Sequence, residues 1–372
     1  MTLNAETLSA GEAAWVLRAG WEAQVAGGLT ASWMLHGRPG VGKTEIVAAL
    51  ADDIGARLFD LRLTTIEPQD LRGLPYYDHE RGRTVWYRPE DLPDDPATPS
   101  ILFLDELTAA APHLQPTVYG LLQERRVGRH RLPQSVLIVA AGNSVEDGAV
   151  AYEMGTALSD RLIHLHVVAE ARDWVENYAM PRGIDPAVVA FIRARPDLLE
   201  TTEDSLRRGE TIACTPRAWS RVSEIRRAVA DRALARAMVA GTVGTAAAAE
   251  FQLVADDVSA SLRVEEMLEA GAQDLPGLYP QTMHGLTALI SALLAVASET
   301  TMERVIEVMA GIGQLAATRE EAVFRTLPLA ELQGFGFDML IRKGLDQGLE
   351  AAFGRSEAYR AYAEARAAQG LD

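Results

Sequence analysis

The strongest chemical signal in the chain is a short glycine-rich run that contains one of its only two lysines. The run fits the spacing G-x-x-x-x-G-K-[ST], which is typical of a phosphate-binding loop. Its residues are Gly37, Arg38, Pro39, Gly40, Val41, Gly42, Lys43 and Thr44. An ammonium group is a compact charge that reaches between phosphates, whereas a guanidinium group is a wide planar fork. We therefore predict that Lys43 bridges the β- and γ-phosphates of a bound nucleotide and that the Thr44 hydroxyl binds Mg²⁺.

An acidic pair, Asp105 and Glu106, follows the apolar residues 101–104. If these apolar residues form a buried strand, Asp105 lies at its carboxyl end, where ligands collect in open α/β sheets. There Asp105 can hold hydrated Mg²⁺, and Glu106 can polarise an attacking water. An acidic pair after a strand is also typical of a helix cap. The phosphate-binding loop upstream favours the catalytic interpretation.

A second apolar run, residues 136–141, ends in Gly142 and Asn143. Its length and composition predict another buried strand. Asn143 then orients the same water from the opposite side. Alternatively Asn143 is only a turn residue, which asparagine after glycine suits well.

These residues need a sheet that brings the ends of several strands together. Strand-like runs at 33–35, 58–63, 101–104, 136–141 and 162–167 alternate with helical patterns. This alternation predicts an α/β fold with a parallel sheet of about five strands over residues 1–168. Strand signals then stop, which predicts a helical lid at 169–260 and a helical extension at 261–372.

Composition is that of an ordinary globular protein, with 48% hydrophobic and 23% charged residues in 372. The net charge of −17 argues against a nucleic-acid groove as the main surface. Cys214 is the only cysteine, which favours a reducing compartment. No signal peptide and no apolar run long enough to span a bilayer is visible. We therefore expect a cytoplasmic protein without a membrane partner.

The motifs GRPGVGKT, ILFLDE and AAGN, in this order, resemble those of AAA+ ATPases. Three further elements resemble the MoxR branch of that family. Residues 68–73 are similar to its D-L-x-G element, 157–162 to its L-D-R-F element and 215–218 to its S-P-R-A element. Leu162 stands where that branch usually has phenylalanine, and Thr215 stands where it usually has serine. The resemblance extends over residues 30–230.

This resemblance implies a P-loop ATPase that uses ATP and Mg²⁺ in a hexameric ring of identical subunits. It implies that Arg161 is an arginine finger directed at the neighbouring subunit's nucleotide, and that Arg217 is a second sensor of the γ-phosphate. Arg217 falls in the first turn of a predicted helix, where a cation is unfavourable unless an anion is near. Alternatively, Arg161 forms a surface ion pair, for example with Asp160.

The same resemblance implies chaperone-like remodelling of a partner protein that carries a von Willebrand factor A domain. The ATPase subunit of a metal chelatase is an alternative, because it shares most of these motifs. A nucleic-acid motor or loader is another alternative, which the acidic net charge disfavours. A small-molecule kinase and a non-hydrolysing scaffold are less consistent with the full set of motifs.

Four further features have no assigned role. Residues 74–88 predict a hairpin whose aromatic side chains either grip a partner or pack on the core. Residues 124–131 form an arginine-rich stretch that contacts a partner, a neighbouring subunit or nucleic acid. His164 and His166 lie on one face of a predicted strand, and the absence of other ligands in that segment favours a structural role. Lys343 is predicted on an exposed helix.

Overall fold

The computed structural model describes residues 4–143 and 159–368. The chain forms two compact units. The first comprises Met1–Glu170, Thr202–Thr211 and Thr215–Arg217, and the second comprises Ala171–Thr201, Ile212–Cys214 and Ala218–Asp372. The division into three parts at residues 168 and 260 stays a prediction.

The first unit is built on a six-stranded sheet, and the predicted parallel α/β fold is confirmed. The strand order is β1-β10-β2-β9-β6-β3, and every neighbouring pair in it is parallel. The strands are β1 (Thr7–Leu8), β2 (Ser32–His36), β3 (Arg57–Arg62), β6 (Ser100–Asp105), β9 (Val136–Gly142) and β10 (Leu162–Val167). All five predicted strands are present. The sixth, β1, has two residues and is too short to leave a hydrophobic pattern.

Two short antiparallel ribbons project from this core. The first pairs β4 (Pro75–Asp78) with β5 (Arg83–Trp86) and confirms the predicted hairpin. The second pairs β7 (Arg126–Val127) with β8 (His130–Arg131), within the arginine-rich stretch.

Helices pack around the sheet and make up the second unit. In the first unit they are α1 (Ala10–Val25), α2 (Lys43–Asp53), α3 (Pro68–Arg72) and α4 (Gln115–Glu124). From residue 171 onward the helices are α5 (Ala171–Asp173), α6 (Pro186–Ala194), α7 (Thr202–Arg208), α8 (Pro216–Ala228), α9 (Arg232–Val243), α10 (Thr245–Ser261), α11 (Val264–Glu269), α12 (Leu275–Leu278), α13 (Met283–Val296), α14 (Met302–Ile312), α15 (Leu315–Thr318), α16 (Leu329–Gln347), α17 (Ala351–Arg355) and α18 (Glu357–Ala368). A π-helical turn spans Trp174–Ala179. Among the described residues, no helix combines the length and apolar character needed to cross a membrane.

The sheet is buried on both faces, which explains its nearly continuous apolar strands. In β6, Leu102 and Leu104 face a core that includes α4, while Ile101 and Phe103 face a second core that includes α1 and α2. All four side chains are fully buried. Covering both faces fixes the register of the strand, because a slip by one residue would exchange its two sets of side chains.

This register aligns the carboxyl ends of three strands. His36 at the end of β2 lies opposite Gly142 of β9, and Leu104 of β6 lies opposite Ala140 of β9. The residues that follow these strands therefore meet at one edge of the sheet, where α/β proteins bind their ligands.

The second unit has a separate helical core around three aromatic rings. Trp219 packs against Phe191 and Phe251 with ring-centroid distances of 5.1 and 5.6 Å. The Trp219 indole Nε1 donates a hydrogen bond of 2.7 Å to the Leu198 carbonyl, so its polar atom is satisfied inside the core.

The prediction that Lys343 lies on an exposed helix is wrong. The residue is on α16, but its ammonium group donates to the carbonyl of Leu294 near the end of α13. Partial burial lowers the pKa of Lys343. A lysine that caps a neighbouring helix in this way binds a carbonyl left without a partner inside its own helix.

Replacing one of the three rings of this core tests the fold. We expect Phe251→Ala to lower the free energy of unfolding by about 3–5 kcal/mol, because the removed ring leaves a cavity between Phe191 and Trp219. The matched control on the same helix is Leu253→Ala, since Leu253 is 74% exposed. The control should stay within about 0.5 kcal/mol of the original protein in urea unfolding. Equal losses from both variants would contradict this account of the core.

Candidate functional site

Three glycines of the phosphate-binding loop have backbone angles that other residues rarely adopt. The φ angles are +154° at Gly37, +82° at Gly40 and +104° at Gly42. Gly42 is the residue before α2 and has no side chain to cap it, so the loop leads directly into the exposed N–H groups of the first helical turn. Such N–H groups and the helix dipole form an anion-binding site.

Close packing adds a second reason for two of these glycines. A Cβ atom at Gly37 would lie 2.4 Å from the carbonyl oxygen of Val167 in β10. A Cβ atom at Gly40 would lie 3.0 Å from the Thr215 hydroxyl oxygen. The loop is therefore held between the end of β10 and the segment that precedes α8.

Lys43 lies at the centre of the site and is only 9% exposed. Its ammonium Nζ donates to the carbonyl oxygens of Gly37 at 2.6 Å and Arg38 at 3.1 Å. It also donates to the Asn143 side-chain oxygen at 2.8 Å. Because Asn143 follows β9, this contact joins the predicted loop lysine to a second predicted site residue 100 positions away in the chain.

The acidic pair lies at the end of β6. This strand is adjacent to β9, which in turn is adjacent to β2, the strand that precedes the phosphate-binding loop. The Asp105 carboxylate accepts the backbone N–H of Glu106 at 2.9 Å. Burial, and then the nearby Asp105 carboxylate, raise the pKa of Asp60 on the adjacent strand β3. Asp105 therefore contributes a negative field at this edge of the sheet, as expected for a cation ligand.

Glu106 adopts a left-handed conformation, with φ +59° and ψ +35°. This region is uncommon for a residue with a side chain and costs of order 1–3 kcal/mol where it occurs. Its carboxylate accepts a hydrogen bond from the Thr64 hydroxyl and lies 3.8 Å from the Arg62 guanidinium. The Glu106 carboxylate is therefore held at the end of β3 and by the residues that follow it.

Thr108 connects the acidic pair to Asn143. Its hydroxyl donates to the Asn143 carbonyl at 2.9 Å and accepts the Asn143 N–H at 3.1 Å. A Cβ atom at Gly142 would lie 2.6 Å from this hydroxyl, so glycine is required for the approach. The short 3₁₀ turn after Glu106 and the end of β9 are therefore locked together.

Arg161 lies away from these groups. It directly precedes β10, whose first residue Leu162 is paired with Ser32, the first residue of β2. The phosphate-binding loop follows the last residue of β2. The length of this strand therefore separates Arg161 from the loop by roughly 17 Å, at about 3.3 Å per residue. The Arg161 guanidinium is exposed and donates to the Gln123 side chain at 2.7 Å. Residues 157 and 158 of this element lie outside the described residues.

Arg217 lies on the loop side of the first unit. It is an exposed residue in the first turn of α8, two positions after the Thr215 that faces Gly40. Arg38 of the loop pairs with Glu203 of α7 at 2.6 Å, and this contact lowers the pKa of Glu203. The predicted second sensor is therefore near the loop, while the predicted finger is at the opposite edge of the sheet.

Several contact residues could not be identified from motifs. Thr64, Thr108 and Gln123 each contact a predicted site residue from a different segment of the chain. Their only sequence signal is a polar side chain beside a strand or helix end, which is common in any α/β protein. Long-range packing selects them.

The arginine-rich stretch and the aromatic hairpin have different environments. The guanidinium of Arg125 is partly buried and donates to the carbonyls of Pro133 and Val136, and burial lowers its pKa. This arginine therefore supports the fold. On the hairpin, Tyr77 and Tyr87 are 76% and 63% exposed, so Tyr87 does not pack on the core.

The donor set fits a nucleotide with Mg²⁺. Positive-φ glycines, an uncapped helix start and a buried ammonium match the charge of phosphates. A Cβ atom at Gly42 would meet nothing within 4 Å, so the loop is open beside the helix start. The hydroxyl of Thr44 and the carboxylate of Asp105 are hard oxygen ligands of the kind Mg²⁺ prefers.

Comparison with known proteins agrees with this geometry. Residues 32–164, about a third of the chain, match the family model described as "ATPase family associated with various cellular activities (AAA)". The mouse protein "ATPase family gene 2 protein homolog B" is 35% identical over 105 residues, which are 28% of this chain and 12% of that protein. Its rat counterpart is 35% identical over 106 residues, with the same two shares. The chain thus spans about an eighth of the length of these relatives.

Two solved structures are similar over most of the chain. The Thermotoga maritima RuvB Holliday junction branch migration motor is 18% identical, over 80% of this chain and 86% of that chain, with a TM-score of 0.33. A mutant of the same protein is 17% identical, over 82% and 91%, with a TM-score of 0.37. The part of the first unit at residues 32–164 is therefore similar to an AAA-type ATPase domain.

A methyl group at Gly37 should disable this site. We expect Gly37→Ala to weaken nucleotide binding at least tenfold, because the added Cβ would meet the Val167 carbonyl at 2.4 Å and displace the loop. Binding of a fluorescent ATP analogue measures the effect. The control is Gly241→Ala, since an added Cβ there meets nothing within 4 Å. The control should bind normally and gain stability slightly. Unchanged binding by Gly37→Ala would contradict the close approach.

Proposed function

We propose that this protein is a Mg²⁺-dependent ATPase that works as a hexameric ring and remodels a partner protein. The observation that supports this most directly is the contact of the buried Lys43 ammonium with Asn143, beside Asp105 and Glu106 at the same sheet edge. A cation, an amide and two acidic residues then lie at one edge of the sheet next to a phosphate-binding loop, and these are the groups required for phosphoryl transfer to water.

The chain's own groups bind and orient the triphosphate. The N–H groups of the loop and of the first turn of α2 bind the phosphate oxygens, and Lys43 exchanges its carbonyl partners for them. Arg217 adds a positive charge from the side of α8. Because these groups are fixed by the sheet and the close-packed glycines, little reorganisation is needed when charge develops on the γ-phosphoryl group.

Thr44 and Asp105 would hold Mg²⁺. When bound, the ion neutralises charge on the phosphates. Glu106 orients the attacking water and accepts its proton. Asn143 holds the opposite side of the reacting centre, since its amide already reaches the Lys43 ammonium.

The position of Arg161 supports the ring. A side chain at the amino-terminal edge of the sheet cannot reach the loop of its own subunit, roughly 17 Å away along the strand. In a ring this edge of one subunit faces the nucleotide of the next, where Arg161 stabilises the charge of the transition state. The alternative, an ion pair between Arg161 and Asp160, is not among the described contacts. Arg161 donates a hydrogen bond to the Gln123 side chain instead.

The partner we propose carries a von Willebrand factor A domain, and the setting is the cytoplasm. Support comes from the three motif elements at 68–73, 157–162 and 215–218 that resemble the MoxR branch. The exposed tyrosines of the hairpin β4–β5 provide an apolar surface for such a partner. Exposed aromatic side chains are enriched at protein interfaces.

Glu106→Gln tests the hydrolytic role. We expect steady-state ATP turnover to fall about 10²- to 10⁴-fold, because the amide cannot accept the proton of water. Nucleotide affinity should remain within about twofold, since the phosphates bind the loop and Lys43. Glu22→Gln is the control, because Glu22 is an exposed acid that pairs with Arg18 on α1. Turnover at the original rate by Glu106→Gln would overturn this assignment.

Mixing two inactive variants tests the ring. Arg161→Ala subunits keep Glu106 but offer no finger, and Glu106→Gln subunits keep the finger but do not hydrolyse. We expect the mixture to recover ATP turnover, because an intact site then faces an intact Arg161. Mass measurement with ATP bound should show a hexamer. A monomeric protein without recovery on mixing would refute the ring.

A further inference from the structure

Two histidines on neighbouring strands of the first unit form a hydrogen-bonded pair that the proposed chemistry does not use. His36, the last residue of β2, and His164 of β10 approach with 2.8 Å between His36 Nε2 and His164 Nδ1. Their rings stack, with centroids 5.1 Å apart and planes 21° from parallel. The other nitrogen of His164, Nε2, lies 2.8 Å from the Ser159 carbonyl oxygen and 3.2 Å from its hydroxyl.

The carbonyl of Ser159 determines the direction of these hydrogen bonds. A carbonyl oxygen only accepts, so His164 Nε2 carries a proton and donates it to Ser159. In the neutral ring Nδ1 is then the acceptor, and His36 Nε2 is the donor. The result is a directed chain from the end of β2, through His164, to the backbone of Ser159. Both nitrogens of His164 are engaged.

This chain ends two residues before Arg161. On its other side Arg161 is followed by Leu162, which is paired with Ser32 in the sheet. The backbone of Arg161 thus lies between two anchored points, Ser159 and Leu162. Its exposed guanidinium has Gln123 as a contact. For a long side chain that must reach another subunit, a fixed backbone reduces the entropy lost on insertion.

We propose that His164 is a positioning residue for Arg161: by holding the Ser159 carbonyl it fixes the segment that presents this arginine to the neighbouring subunit. The proposal rests on the ring ATPase proposed above. His164 acts through Arg161 and touches neither nucleotide nor water. The competing possibility is that His164 acts on the phosphate-binding loop of its own subunit, through its contact with His36 and the adjacent Gly37. The test below separates these two possibilities.

The variant is His164→Phe, which keeps an aromatic ring but has no nitrogen to bond Ser159 or His36. We expect nucleotide affinity within about twofold of the original protein and ATP turnover about 10- to 100-fold lower, because a misplacement of about 1 Å has costs of that size. The matched control is His166→Phe. His166 lies two residues further on the same strand face, equally half-buried, with a 3.4 Å contact to Thr7. It should turn over normally.

Mixing shows which subunit the defect affects. With Glu106→Gln subunits, which supply a well-placed finger, His164→Phe sites should recover turnover. With Arg161→Ala subunits there should be no recovery, because every finger is then absent or displaced. The reverse pattern would show that His164 serves its own nucleotide, and it would overturn the proposal. Failure to recover with either partner would show a general structural defect and would overturn it as well.

Three further measurements complete the test. The parental mixture of Arg161→Ala and Glu106→Gln must itself recover, and if it does not, the ring function fails independently of His164. His164→Gln keeps an amide donor and acceptor and serves as the second variant if the phenylalanine variant does not fold. It should show a smaller loss of turnover with the same mixing pattern. Ser159→Ala should remain near the original rate, because the shorter bond uses the carbonyl oxygen.

Discussion

The site depends on one buried ammonium group. Lys43 is 9% exposed, and a buried charge is unfavourable unless it is paired or hydrogen-bonded. Its partners include two loop carbonyls and the Asn143 amide oxygen, and these contacts hold the loop after β2 against the end of β9. Phosphate oxygens offer the same ammonium a stronger, charged partner. In the proposed mechanism the phosphates of a nucleotide replace the two carbonyl contacts of Lys43.

The parallel sheet gives the subunit two chemically different edges. At the carboxyl-terminal edge lie Lys43, Asn143 and the acidic pair, held together by hydrogen bonds such as those of Thr108. At the amino-terminal edge lies Arg161, which belongs to the same set of predicted residues but is separated from the others by the length of a strand. The proposed ring would resolve this separation, since it would bring opposite edges of adjacent copies together. The hydrogen bond between His36 and His164 joins β2 to β10, between these two edges.

Much of the fold and most of the site were predictable. The five main strands are continuous apolar runs because both faces of the sheet are covered, and such runs are visible in a sequence. The placement of Asp105 and Asn143 follows from strand ends alone. The exposure of Lys343 was predicted wrongly, because its partner Leu294 lies 49 positions earlier in the chain, and no local pattern reports that contact. Arg125 likewise looks like a surface charge in sequence but is partly buried, and it donates to the carbonyls of Pro133 and Val136.

The sequence by itself determined the chemistry that is available: a glycine-rich loop with one lysine, two strand-end carboxylates, an asparagine and two arginines. Local spacing is sufficient for this, because loop geometry and strand periodicity are short-range properties. Only the tertiary structure decided which of these groups meet. Lys43 bonds Asn143, Glu106 turns towards Thr64, and Arg161 stands at the far edge beside Gln123. Strand order and register set these distances, and both arise from packing the whole sheet between its two apolar cores.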